Sequence, residues 1–156
     1  MKQRTLMSNT YADREIKKVL ETAEYPKNMA LASAWIIANF KGINIKIFDV
    51  SKFSSLCDYN IIASAENTTQ AKSIATEIQK QLRSNGANVN SLEGLSEGDW
   101  ILIDMGDFIV HIFQELSREV FNLEELWSEA SQVEIPNEYY YGTSEEAKKE
   151  TVDQYF

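Results

Sequence analysis

Two apolar runs joined by a glycine-led turn constrain this chain more than any other feature. Trp100-Ile-Leu-Ile-Asp-Met105 and Phe108-Ile-Val-His-Ile-Phe113 are rich in β-branched and aromatic residues, which suit a pleated, half-buried surface. Gly106-Asp107 sits between them at hairpin spacing, and glycine supplies the positive φ that a tight turn requires. The hairpin carries an indole at one end and three carboxylates (Asp99, Asp104, Asp107) near its ends. That combination suits a docking surface better than a reaction centre.

The remaining periodicity places this hairpin in an α/β context. Ile16, Val19, Leu20 and Ala23 fall at helical spacing within Asp13 to Glu24, and Tyr25-Pro26 breaks the pattern. Met29 to Phe40 is a second, more apolar helix that Gly42 can end. Ile43, Ile45 and Ile47 alternate with Asn44 and Lys46, as in a strand with one wet face, and Tyr59 to Ala65 reads as an inner strand. Asn67 or Thr68 can cap a helix whose stripe is Ala71, Ile74, Ala75, Ile78 and Leu82. Ala87 to Leu92 is a weak strand, and Asn122 can cap a short helix over Leu123 to Trp127. The expected fold is an α/β sandwich around a mixed sheet of about five strands flanked by helices. Residues 1–27 form an N-terminal extension with one helix, 28–130 the α/β domain, and 131–156 a tail with a tyrosine run and a charged stretch.

Charge and cysteine usage narrow the partners. With 24 acids against 15 bases, the net charge of −9 repels phosphate at long range. No Lys/Arg cluster offsets it, so a basic protein is the more natural electrostatic partner. The single cysteine, Cys57, excludes an internal disulfide and suits a reducing compartment. No apolar run approaches the roughly 20 residues that span a bilayer, and Met1 to Thr10 lacks the apolar core of a signal peptide. A cytoplasmic location is expected.

A search for catalytic chemistry returns little. His111 is the only histidine, so any His-based dyad or triad must use it. It alternates with Ile109 and Phe113 on one strand face, and a histidine packed or hydrogen-bonded at a core margin accounts for it. Asp104 and Asp107 flank a turn glycine with no second ligand group nearby in sequence, and hairpin turns favour aspartate in any case. No metal is expected. Cys57 reads as a buried thiol rather than a nucleophile. Gly94, Gly98 and Gly106 match neither dinucleotide nor Walker spacing, so no nucleotide cofactor is expected. Trp100 remains. It either covers the sheet edge or anchors an interface, with Arg118 and Phe121 near enough in sequence to complete a patch.

Several segments together carry a family resemblance. Cys57-Asp-Tyr-Asn-Ile-Ile-Ala-Ser64, Gln70-Ala-Lys-Ser-Ile-Ala75, Glu93-Gly94, Asp99 to Phe113, and Arg118-Glu-Val-Phe-Asn-Leu-Glu-Glu-Leu-Trp127 resemble the ribosomal silencing factor (RsfS, Iojap) family in order and spacing. The resemblance covers about Ala30 to Ser128. It implies a nucleotidyltransferase-like topology without the catalytic motifs, hence a binding protein and not an enzyme. It further implies docking on ribosomal protein uL14 of the large subunit, obstruction of small-subunit joining, and repression of translation when nutrients are scarce. The family's contact positions map onto Trp100, Asp104, Asp107 and Phe121, with Met105 and Arg118 as secondary positions. Ala65, Thr69, Cys57 and Phe121 depart from the usual family pattern, and Phe121 lacks the hydroxyl of the commoner tyrosine. Weak homodimerisation through the same hairpin is the alternative partner reading.

Overall fold

The computed structural model describes residues 2–141, with side chains from Tyr11 to Tyr140. Helices α1 (Lys2–Leu20) and α2 (Lys27–Asn39) lead into strands β1 (Ile43–Asp49) and β2 (Tyr59–Ala65). Helix α3 (Thr68–Ser84) connects to β3 (Ser91–Glu93), β4 (Trp100–Asp104) and β5 (Phe108–Gln114). There follow α4 (Glu115–Phe121), a 3-10 turn (Leu123–Trp127), the two-residue β6 (Ser131–Gln132) and α5 (Glu138–Tyr141). The strands are ordered β3-β4-β5-β2-β1-β6. The central pair, β2 and β5, is parallel and every other pairing is antiparallel.

This is the expected α/β fold with a mixed sheet, of six strands rather than about five. The additional strand is Ser131–Gln132 pairing with Phe48 and Asp49, too short to show any alternation. The stretch read as a tail therefore contributes to the sheet edge. Tyr139 packs back into the main core, and its backbone carbonyl accepts a hydrogen bond from Asn39 Nδ2. The charged stretch from 145 to 150 lies outside the described residues.

Each sheet face has its own cover. Ile45, Ile47, Ile61, Ala63, Ile101, Ile103, Val110 and Ile112 point into the main core with α1, α2 and α3. Helix α2 is buried on all sides from Met29 to Ile37, as expected of a helix that is apolar all round. Helix α1 adds Ala12, Ile16 and Val19 to the same core, starting well upstream of Asp13 and ending at Leu20. Helix α3 buries the stripe anticipated for it, and its cap is Asn67, whose Oδ1 accepts from the Gln70 N–H at 2.8 Å. Gln70 Oε1 accepts from the N–H of Glu66, one residue before the cap.

The opposite face holds a smaller cluster of Phe48, Val50, Cys57, Ile62 and Phe113, overlaid by Trp100, Ile109, Leu123, Trp127 and Ala130. Two local features shape its approach. Lys41, not Gly42, takes the left-handed conformation after α2. Gly42 is required because a Cβ there would collide with the Ile37 side chain. Strand β1 carries a bulge between Ile43 and Lys46, where Asn44 adopts φ 53°. The bulge breaks the simple alternation, leaving Ile43 exposed while Ile45 and Ile47 stay buried.

Candidate docking surface

The hairpin forms as the sequence indicates. Met105 N–H donates to the Phe108 carbonyl at 3.0 Å, leaving Gly106-Asp107 as the two-residue loop. Gly106 has φ 92°, and its N–H is accepted by Asp104 Oδ1 at 2.9 Å. Trp100 stands directly across from Phe113 on the smaller-cluster face. The two rings stack at 4.9 Å, and Phe121 from the end of α4 meets the indole at 4.9 Å with a 45° tilt. Phe113 is fully buried beneath this pair, Trp100 is half-buried, and Phe121 is 54% exposed.

A line of polar side chains runs beneath the indole. Trp100 Nε1–H donates to His111 Nδ1 at 3.2 Å, so that ring nitrogen carries no hydrogen. The hydrogen therefore sits on Nε2, which donates to Asn60 Oδ1 at 3.1 Å. Asn60 Nδ2 donates onward to Cys57 Sγ at 3.7 Å. Burial lowers the His111 pKa from 6.5 to about 4, so the imidazole is neutral near pH 7. Burial also pushes the Cys57 thiol up, and the nearby charges of Asp104, Asp58 and Asp107 add to the effect. Cys57 is held as a thiol, opposite to what an activated nucleophile needs. His111 has the role of a satisfied core histidine.

Helix α4 has no buried residue, and Arg118 fastens it. The guanidinium donates through Nη1 to the Asn44 carbonyl at 2.7 Å and to Ser64 Oγ at 2.9 Å. Its Nε donates to Glu124 Oε1 at 2.8 Å, while Lys46 Nζ donates to Glu124 Oε2 at 2.8 Å. Burial alone would raise the Glu124 pKa, but hydrogen bonds and charge from Arg118 and Lys46 bring it below the usual carboxylate value. The β1 bulge at Asn44 turns out the carbonyl that Arg118 captures. Asn122 ends α4 in the left-handed conformation, φ 45°, and makes no side-chain cap to the 3-10 turn, contrary to expectation. Its amide instead reaches Glu125 Oε2 at 3.0 Å.

The six candidate residues thus separate into three groups. Trp100 and Phe121 form the aromatic contact. Asp104 shares their face but lies at the far end of β4, roughly 13 Å along the strand from Trp100 at about 3.3 Å per residue. Asp107 is exposed at the same end, with Oδ2 accepting from the Tyr25 hydroxyl at 2.9 Å. Met105 points the other way, into the main core at 5% exposure, so its side chain is withdrawn from any partner. Arg118 is committed to internal contacts, its side chain 10% exposed. Sequence reasoning missed α4 itself, whose signal is Leu116 and Val120 four apart after the Gln114-Glu115 strand exit. Both are more than 70% exposed and extend the apolar surface beside Phe121.

None of the six lines the cleft of about 560 Å³ between α1, α2 and the C-terminal segment, walled by Trp35 and Tyr139. Among the described residues, no group of three or more His, Cys, Asp or Glu side chains is placed to hold a metal ion. No described helix is long and apolar enough to cross a membrane.

The fold is a six-stranded α/β domain whose smaller sheet face carries an aromatic pair, Trp100 and Phe121, over a buried, neutral histidine. Comparison with known proteins gives this fold a family. The family model for the ribosomal silencing factor during starvation (RsfS) matches residues 22–155, and the chain belongs to that family. It is 38% identical over 87 residues to the ribosomal silencing factor RsfS of Bacillus subtilis (strain 168), covering 56% of this chain and 74% of that protein. It is 32% identical over 101 residues to a mitochondrial Iojap-related protein of Arabidopsis thaliana, covering 62% of this chain and 54% of that one. A crystal structure of a Chromobacterium violaceum protein superimposes with a TM-score of 0.66 at 28% identity, covering 67% of this chain and 88% of the other. A second, from Bacillus halodurans, gives 0.59 at 29% identity over 66% and 93% of the two chains.

Proposed function

We propose that this ribosomal silencing factor works by docking its Trp100–Phe121 face on ribosomal protein uL14 of the large subunit. A domain seated there occupies space that the small subunit must enter, and translation falls under nutrient limitation. The observation that carries the reading is the half-buried indole stacked on Phe113 and tilted against Phe121, with carboxylates along the same hairpin. Trp is among the residues that dominate binding energy when desolvated at the centre of an interface. Asp104 and Asp107 put negative charge at the far end of the same hairpin, and the net charge of −9 favours encounter with a basic ribosomal protein. An interface of about 800 Å² per partner is enough for a specific complex. The activity is one of binding, needs no cofactor, and belongs in the compartment that holds assembling ribosomes, here the cytoplasm.

The decisive experiment adds purified protein to separated subunits and follows whole-ribosome formation by sedimentation. Wild type co-sediments with large subunits and suppresses joining. Trp100→Ala weakens binding by about 2 kcal/mol or more, roughly thirtyfold, and restores joining. Wild-type binding by that variant overturns Trp100 as the anchor. A shift from dimer to monomer in Trp100→Ala, with no large-subunit binding by either protein, points instead to self-association.

A further inference from the structure

We propose that His111 and Asn60 are positioning residues for Trp100: together they fix which edge of the indole faces outward, so that its carbon edge and not its N–H meets the partner. The inference rests on the docking face described under Proposed function and concerns how that face is held ready.

The ring contacts alone do not fix the indole's hydrogen-bonding edge. Phe113 and Phe121 touch the indole through carbon surfaces at 4.9 Å each. Such contacts respond to shape alone: a half-turn of the ring about its Cβ–Cγ bond exchanges the nitrogen-bearing edge for the benzo edge, and neither phenyl ring distinguishes an N–H from a C–H. The hydrogen bond to His111 Nδ1 is not indifferent, because it forms in one orientation only. His111 accepts there only while its hydrogen stays on Nε2, and Asn60 Oδ1 retains it in that tautomer. The Asn60 amide is oriented in turn, since its Nδ2 faces Cys57 Sγ while its Oδ1 faces the imidazole. His111 and Asn60 are 5% and 6% exposed, so water is a poor substitute partner for either. The carboxylates nearest this line, Asp104, Asp58 and Asp107, lie at its Cys57 end. Trp127 closes over the imidazole at 5.6 Å.

Two consequences follow for recognition. The indole N–H is already engaged within the domain, so the partner group against Trp100 is aliphatic or a cation over the ring, rather than a hydrogen-bond acceptor. The ring is also ordered before the partner arrives, and ordering one such side chain on binding weakens affinity by a factor of roughly 2 to 10.

The test uses indole ¹⁵N–¹H NMR of the full chain, with the Trp100 signal assigned by its loss in Trp100→Phe, alongside affinity for isolated large subunits. In His111→Leu the Trp100 indole proton moves and exchanges faster with solvent, and affinity falls roughly 2- to 10-fold. His111→Asn, whose Oδ1 falls near the position of Nδ1, recovers both readouts. Val110→Ala, which creates a void on the opposite sheet face, changes neither. Should His111→Leu not fold, Asn60→Ala takes its place, with the same direction in both readouts. An unmoved Trp100 signal in the folded variant overturns the proposal, as does a Val110→Ala protein that shifts it equally. If no protein, wild type included, binds large subunits, the docking reading fails while the indole signals still decide the positioning role.

Discussion

Acid should weaken this fold through His111 by an amount that can be worked out in advance. The imidazole binds a proton with a pKa of 6.5 in an open chain and about 4 in the folded one, because protonation would leave a buried charge and remove the acceptor for Trp100. The unfolded state is then the better proton binder. Stability attributable to this group is fully present above about pH 6.5, falls by about 1.4 kcal/mol per pH unit below it, and is gone by about pH 4. The full loss is about 3 kcal/mol, a substantial part of the 5–15 kcal/mol typical of a domain. At pH 5 it amounts to about 2 kcal/mol. The carboxylates titrate over part of the same range, so the informative quantity is a difference between proteins. Urea unfolding at pH 7 and pH 5 is measured for wild type and for His111→Asn, which has the same carboxylates. Wild type should lose about 2 kcal/mol more than the variant between the two conditions. Equal losses would refute the buried, neutral imidazole and with it the hydrogen-bond directions assigned along Trp100, His111 and Asn60.

Other perturbations probe the supports of the same face. Arg118→Ala removes three hydrogen bonds to β1, β2 and Glu124 and should cost about 2 kcal/mol or more. Hydrogen exchange should quicken selectively over residues 115–127, and a uniform change across the domain would show that Arg118 does not fasten α4. Gly94→Ala places a Cβ against the Trp100 carbonyl at φ 80° and should destabilise by about 2 kcal/mol or more. A melting temperature within a degree of wild type would contradict that close approach.

How much of this was legible in the sequence depends on whether a feature is periodic. The hairpin, the α3 stripe and the inner strand at 59–65 announce themselves through alternation or helical spacing, and the structure forms them. The separation of Met105 from Trp100 was equally available, since odd and even positions of one strand point to opposite faces. The family mapping grouped them nonetheless. What sequence could not show is long-range accounting. That Arg118 is engaged internally follows from a bulge 74 residues away at Asn44, and the two-residue strand at Ser131–Gln132 has no pattern to mark it, although packing of the tyrosine run back on the domain was the expected outcome and Tyr139 meets it. Helix α4 was obscured because it is seven residues long and buries nothing, leaving Leu116 and Val120 as its whole apolar periodicity.

The parallel pairing of β2 with β5 has a consequence for kinetics. Asn60 and His111 are 51 residues apart in the chain and become neighbours only when the intervening α3 and hairpin segments have closed that loop. Pairings of such high sequence separation are characteristically late and slow. The Trp100–His111 bond is local to the hairpin, whereas Asn60 reaches the imidazole only once β2 has joined β5, so on the proposed docking reading the recognition face is completed at that step.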